Sequence, residues 1–140
     1  MSKGNLLIVE DEKALSDLLV DLLGPHAEKV FTAYNGLEAL DEVANNEVHG
    51  IVCDINMPKM NGIEFIAKMR ELGNNHPIIF YTAHGNEALM REALSYGAFD
   101  FLAKPNFDNL EGTVRQALDE GLKSGGSSSS EDELAELIKG

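Results

Sequence analysis

Residues 51–62, IVCDINMPKMNG, read as a buried β-strand that runs straight into an aspartate. Ile51, Val52 and Cys53 are apolar in a row, Asp54 follows, and the segment after it closes on Asn61-Gly62. An unbroken apolar run suits a strand covered on both faces, as in a parallel sheet between helices, better than a half-solvated strand that alternates. The carboxylate at its mouth must then be solvated, paired or chemically employed.

The same pattern recurs along the chain. NLLIV at Asn5–Val9 is apolar and ends at Glu10-Asp11-Glu12. Ala14, Leu15, Leu18, Leu19 and Leu22 then fall at helical spacing, stopped by Gly24-Pro25. KVFTAY (29–34) is the second predicted strand, and Asn35 is placed to cap a helix with Leu37, Leu40, Val43 and Ala44 on one face. The third strand spans 48–53, followed past its loop by a helix carrying Ile63, Ile66, Met69 and Arg70. PIIFY (77–81), a short helix over 87–94, a strand over 99–103 and a last helix marked by Leu110, Val114, Ala117, Leu118 and Gly121 complete five strand–helix units. Five such units with short connections build a doubly wound α/β sandwich around a parallel sheet.

In that architecture ligands bind beyond the carboxyl ends of the strands. Those ends carry Glu10 and Asp11, Asp54, Thr82 and Lys104. Three neighbouring carboxylates repel one another unless a cation joins them. A donor set of oxygens without His or Cys suits a hard cation, and a small open set suits Mg²⁺, which shares sites with phosphate oxygens. With a lysine and a hydroxyl beside them, these residues form an electrostatic cradle in which an aspartate can act as nucleophile toward a phosphoryl group.

Composition narrows the alternatives. The chain has 140 residues, 44% hydrophobic and 25% charged, which fits one ordinary globular domain. The formal net charge is −13; residues 124–140 hold four acids and one base, and the body keeps −10, which argues against direct nucleic-acid binding. Cys53 is the single cysteine, so no intrachain disulfide or cysteine metal cage can form, and it reads as a small buried hydrophobe. No apolar run is long enough for a bilayer span or a signal peptide, so no membrane association and a cytoplasmic location are expected. His26, His49 and His76 lack ligand spacing and are expected at the surface or in loops.

Four motifs together resemble the receiver domains of response regulators: Glu10-Asp11 after LLIV, DINMPKMNG at 54–62, Thr82-Ala83 after PIIFY, and GAFDFLAKP at 97–105. The resemblance covers roughly residues 5–122 and implies a flavodoxin-like sheet of order 2-1-3-4-5. It implies that Asp54 is the phosphoacceptor. Asp11 and Asp54 would hold Mg²⁺ through carboxylates, Asn56 through its backbone carbonyl, and Glu10 mostly through ordered water. Thr82 and Lys104 would contact the phosphoryl group, and the Lys104-Pro105 bond would be cis. Phe101 matches the family's switch aromatic, paired with Thr82, and as Phe it brings no phenolic hydroxyl. Asn56 and His84 match positions that tune dephosphorylation.

By the same resemblance, a histidine kinase or phosphotransfer protein donates the phosphate. A downstream protein, or a second copy in a phosphorylation-dependent dimer, binds the face of helix 4, strand 5 and helix 5. The domain would be a switch that assists its own phosphorylation and hydrolysis rather than a turnover enzyme. It could also be the receiver portion of a longer regulator or kinase, or an intermediate phosphate carrier in a phosphorelay. A flavodoxin-type cofactor site is disfavoured because Glu10-Asp11-Glu12 stands where a phosphate loop belongs. A haloacid-dehalogenase-type phosphatase is disfavoured because Asn56 fills the place of its second acid. The receiver domain is expected over 1–123, with a Gly/Ser linker over 124–130 and a short acidic amphipathic tail over 131–140, where Ser130 and Glu133 match a capping box and Leu134, Leu137 and Ile138 form an apolar stripe.

Overall fold

The computed structural model describes residues 3–83 and 85–123. His84, the linker 124–130 and the tail 131–140 lie outside the described residues. Five parallel strands form one sheet in the order β2-β1-β3-β4-β5. They are β1 (Asn5–Val9), β2 (Lys29–Ala33), β3 (Gly50–Cys53), β4 (Ile78–Thr82) and β5 (Asp100–Ala103). Between and after them run α1 (Lys13–Leu23), α2 (Gly36–Asn45), α3 (Gly62–Glu71), α4 (Glu87–Ser95) and α5 (Phe107–Lys123). A short 3₁₀ turn at Gly24–His26, with Pro25 inside it, ends α1 where Gly24-Pro25 predicted a stop.

The apolar strands divide their side chains between two cores. On β1, Leu7 and Val9 join Phe65, Ile66, Met69 and Ala93 on the face covered by α2, α3 and α4. Leu6 and Ile8 join Leu19, Leu23, Val114 and Leu118 on the face covered by α1 and α5. This alternation explains why strands buried on both faces read as continuous apolar runs.

Local chemistry fixes the helix starts. The Asn35 side chain accepts from Glu38 N at the head of α2, as its sequence position predicted. Asn61, expected to close a loop, caps α3 instead in a reciprocal box with Glu64. Asn86 caps α4, and Thr82 is the last residue of β4.

One expectation is corrected. Leu37 is 48% exposed and Ala44 is exposed, because α2 turns Ala39, Leu40 and Val43 to the core and sets Gly36 against the loop after β3. A Cβ at Gly36 would stand 2.6 Å from Met60 Cγ, so the helix start sits directly on the loop after β3. His49 lies in the loop before β3, as expected, but is buried there at 5% exposed; its Nδ1 accepts from Asn5 N at 2.8 Å, and Nε2 therefore carries the proton and donates to Glu47 at 3.0 Å.

Candidate functional site

Parallel register turns strand ends into neighbours. Val9 pairs with Cys53, Cys53 with Phe80, and Thr82 with Ala103. One residue farther, Glu10 N donates to Ala33 O and Asp54 N donates to Val9 O, each at 3.0 Å. Glu10 and Asp54 are thus pinned by backbone at one edge of the sheet. Lys104 N donates to Thr82 O at 3.0 Å, which ties the end of β5 to the end of β4 in the same way.

The side chains converge from there. Lys104 Nζ donates to Glu10 Oε1 at 2.8 Å and to Asp54 Oδ2 at 3.0 Å. Asp54 Oδ1 accepts from Ile55 N at 2.6 Å, and Glu10 Oε2 accepts from Glu12 N at 3.0 Å. The longer arm of a glutamate lets one carboxylate serve both the lysine and the loop before α1. Carboxylate oxygens of Glu10, Asp11 and Asp54 all lie within 4.8 Å of one another, Asp11 being the exposed member. Thr82 is fully buried at the end of β4. Asn56 is exposed in the loop after Asp54.

The electrostatics are those of an under-neutralised acid cluster. Burial pushes the Glu10 carboxyl above the usual carboxylate range, and the bonds from Lys104 and the Glu12 N–H offset only part of that. Burial alone would lower Lys104, but its bonds to Glu10 and Asp54 prevail and hold the ammonium above its ordinary value. One lysine therefore faces three carboxylates. Every donor in the cluster is oxygen, the cluster opens to solvent at Asp11, and its charge excess is that of a site for a hard divalent cation. Cys53, just before Asp54, is fully buried with its thiol pushed well up by desolvation, and it donates to Asp54 O. It is not a reactive cysteine.

The loop after β3 is built for close approach. A Cβ at Gly62 would strike Asp54 O and stand 2.9 Å from Phe80 Cε1, while Gly62 N donates to Ile55 O at 2.9 Å. Gly62 thus folds the loop back against Asp54, a role that Asn61-Gly62 signals only as a turn. Lys59 takes φ of 67°, the left-handed region, at the loop's tip. Phe101 is partly buried, 6.1 Å from the Phe80 ring, and it covers the backbone at Gly85, where a Cβ would meet its Cε1 at 2.6 Å. The Lys104-Pro105 peptide is cis.

Residues 6–115 match the response regulator receiver domain family. The chain belongs to that family. Receiver domains are the phosphoacceptor switches of two-component response regulators, and the sheet order is the one this family shares. The chain is 35% identical over 115 residues to the transcriptional regulatory protein ZraR of Klebsiella oxytoca, covering 81% of this chain and 26% of that protein. It is 31% identical over 119 residues to sporulation initiation phosphotransferase F of Bacillus subtilis, covering 84% of this chain and 96% of that protein. The chain therefore spans about a quarter of the transcriptional regulator but nearly all of the phosphotransferase. A CheY-like receiver domain from Methanospirillum hungatei superposes with a TM-score of 0.79 at 27% identity, over 86% of this chain and 98% of that one. Among the described residues, no helix of this receiver domain is long and apolar enough to cross a membrane.

Proposed function

We propose that Asp54 of this receiver domain accepts a phosphoryl group from the phosphohistidine of a histidine kinase or phosphotransfer protein. The observation that carries this reading is the bridge from Lys104 Nζ to Glu10 and Asp54, with Asp11 completing the acid cluster. A carboxylate oxygen of Asp54 attacks phosphorus, the P–N bond to the donor imidazole breaks, and its electron pair stays on the imidazole nitrogen. A P–O bond forms in its place, and later attack by water on phosphorus returns the carboxylate. Lys104 exchanges a carboxylate for a phosphoryl oxygen, and Thr82 offers its hydroxyl to another. Asp11 and Asp54, with the Asn56 carbonyl and Glu10 behind them, would hold Mg²⁺, which supplies the charge neutralisation an incoming phosphoryl group needs. Asn56 and His84 would tune the lifetime of the phosphate.

Phosphorylation adds a charge of roughly −1.5 to −2 at the sheet edge. Thr82 and Phe101 would carry that change to the face of α4, β5 and α5, where a downstream protein or a second copy of the chain binds. The receiver domain would occupy residues 1–123, with 124–130 a linker and 131–140 a separate acidic tail, and the protein would act in the cytoplasm. A second reading, a carrier in a phosphorelay, is favoured by the near-complete span shared with the sporulation phosphotransferase. The test is mass spectrometry after incubation with a small phosphodonor and Mg²⁺. Wild type should gain one phosphoryl group and Asp54→Ala none; equal labelling of the two overturns the assignment.

A further inference from the structure

Lys104 is held from a third side. Its Nζ lies 5.8 Å from the centroid of the Tyr81 ring, within the range where an ammonium is attracted to an aromatic face. Tyr81 is 2% exposed, one residue before the strand-end Thr82, in a β4 that is buried throughout. Its ring packs at 6.2 Å and 51° on Phe107, the first residue of α5. Its hydroxyl accepts from Asn106 N at 3.0 Å. Asn106 O in turn takes the Leu110 N–H at 3.1 Å, the bond that opens α5. One side chain therefore grips the turn from Lys104 to Phe107 at both ends.

We infer that Tyr81 is a positioning residue for phosphoryl acceptance, holding the Lys104 ammonium over Asp54 and joining it to the first turn of α5. A lysine has four flexible carbons and reaches a target only if something restrains its stem. Glu10 and Asp54 restrain it in the unphosphorylated domain, but the Asp54 partner is consumed when the phosphoryl group arrives. The Tyr81 ring is uncharged and stays in place through that change. A Leu at 81 would keep the position apolar beside Leu102 and Leu110, though it is smaller than Tyr and leaves space beside Phe107. It would supply neither the π face nor the acceptor. The inference rests on the proposed role of Lys104 at Asp54.

The test compares Tyr81→Leu, Tyr81→Phe and Lys104→Gln in the full chain with phosphoramidate and Mg²⁺. Two readouts are taken: the rate of phosphoryl acceptance, and the NMR shift of the Lys104 ε-methylene, which the Tyr81 ring current displaces. Tyr81→Leu is expected to slow acceptance about tenfold and to return the ε-methylene to the position of exposed lysines. Tyr81→Phe, which keeps the ring, should restore the shift and most of the rate, while the Asn106 amide exchanges faster with solvent. A Lys104→Gln protein that accepts phosphate at the wild-type rate overturns the role of Lys104 and this inference with it. A slow Lys104→Gln beside a Tyr81→Leu unchanged in rate and in Lys104 shift overturns this inference alone. If Tyr81→Leu does not fold, an undisplaced Lys104 ε-methylene in the wild type is enough to overturn it.

Discussion

At the edge where the strands end, Lys104 stands between two buried carboxylates with a third close by. At the edge where they begin, Arg70, His49 and Asn5 are each matched by local partners. Arg70 Nε donates to Tyr96 O at 2.8 Å, Nη1 to Asn74 O and His76 O at 3.0 Å, and Nη2 to Gly97 O at 3.2 Å. That guanidinium closes the ends of α3 and α4 over the start of β4. His49 accepts one backbone N–H and donates to Glu47, and Asn5 Nδ2 donates to Glu47 O at 2.8 Å. The two edges share one sheet and one pair of cores, yet one gathers three carboxylates around a single lysine while the other joins Arg70, His49 and Asn5 to neutral or oppositely charged partners. The starting edge holds the fold, and the ending edge carries an acid excess that a cation can relieve.

If the starting edge is the structural one, damage there should be severe. The largest effect is expected at Gly121 in α5. A Cβ at that position would run into the His49 carbonyl, and the obstacle is backbone that cannot rotate away. Gly121→Ala must shift α5 against the loop before β3 and is expected to cost ~3 kcal/mol. Urea unfolding measures it. A midpoint within experimental error of wild type would show that the starting edge is slack and that the contrast between the edges does not hold.

The next effect is a pH dependence that also belongs to the starting edge. Burial lowers His76 from its ordinary 6.5 to about 4, and the neighbouring charges of His49 and Arg70 add to the shift. The folded imidazole resists protonation while the unfolded one does not. Above about pH 6.5 His76 is neutral in both states and subtracts nothing. As pH falls toward 4 the unfolded chain takes a proton that the folded one refuses, so stability is lost through that window, by up to ~3 kcal/mol from this group. His76→Gln should flatten the fall between pH 6.5 and pH 4 relative to wild type. Parallel stability curves for the two proteins would remove His76 from the argument.

The two edges also differed in how far the sequence disclosed them. Glu10, Asp54, Thr82 and Lys104 each follow an apolar run directly, and parallel pairing converts that position along the chain into adjacency in space. The starting edge has no such signature. Arg70 binds carbonyls, which every residue possesses, and His49 meets Asn5 across 44 positions of sequence. An isolated histidine in the loop before a strand gives no sign of burial until Gly4 and Gly121, which pack against it, are seen. Tyr81 was hidden differently: an aromatic inside IIFYT looks like core, and its polar partner Asn106 lies 25 residues away. Leu37 misled because α2 seats Ala39, Leu40 and Val43 on the core, which turns Leu37 outward.

The smallest effect has the opposite sign and bears most directly on the ending edge. In Asp54→Asn the amide oxygen can keep the bond from Ile55 N, so the loop after β3 loses nothing there. Lys104 then pairs one-to-one with Glu10, and a buried carboxylate is removed from a cluster that holds three. Relief of that repulsion outweighs the lost Lys104–Asp54 bond, and the fold is expected to gain ~1 kcal/mol in the presence of a chelator, where no divalent ion offsets the acids. Mg²⁺ should reverse the order. A ligand that binds only the native protein stabilises it by ~2.7 kcal/mol at a hundred times its dissociation constant, and wild type offers one more carboxylate to hold it. The two unfolding curves should therefore cross between chelator and saturating Mg²⁺. An Asp54→Asn protein less stable than wild type in chelator would mean that the strand-end acids are balanced after all, and the distinction between the two edges would have to rest on shape rather than charge.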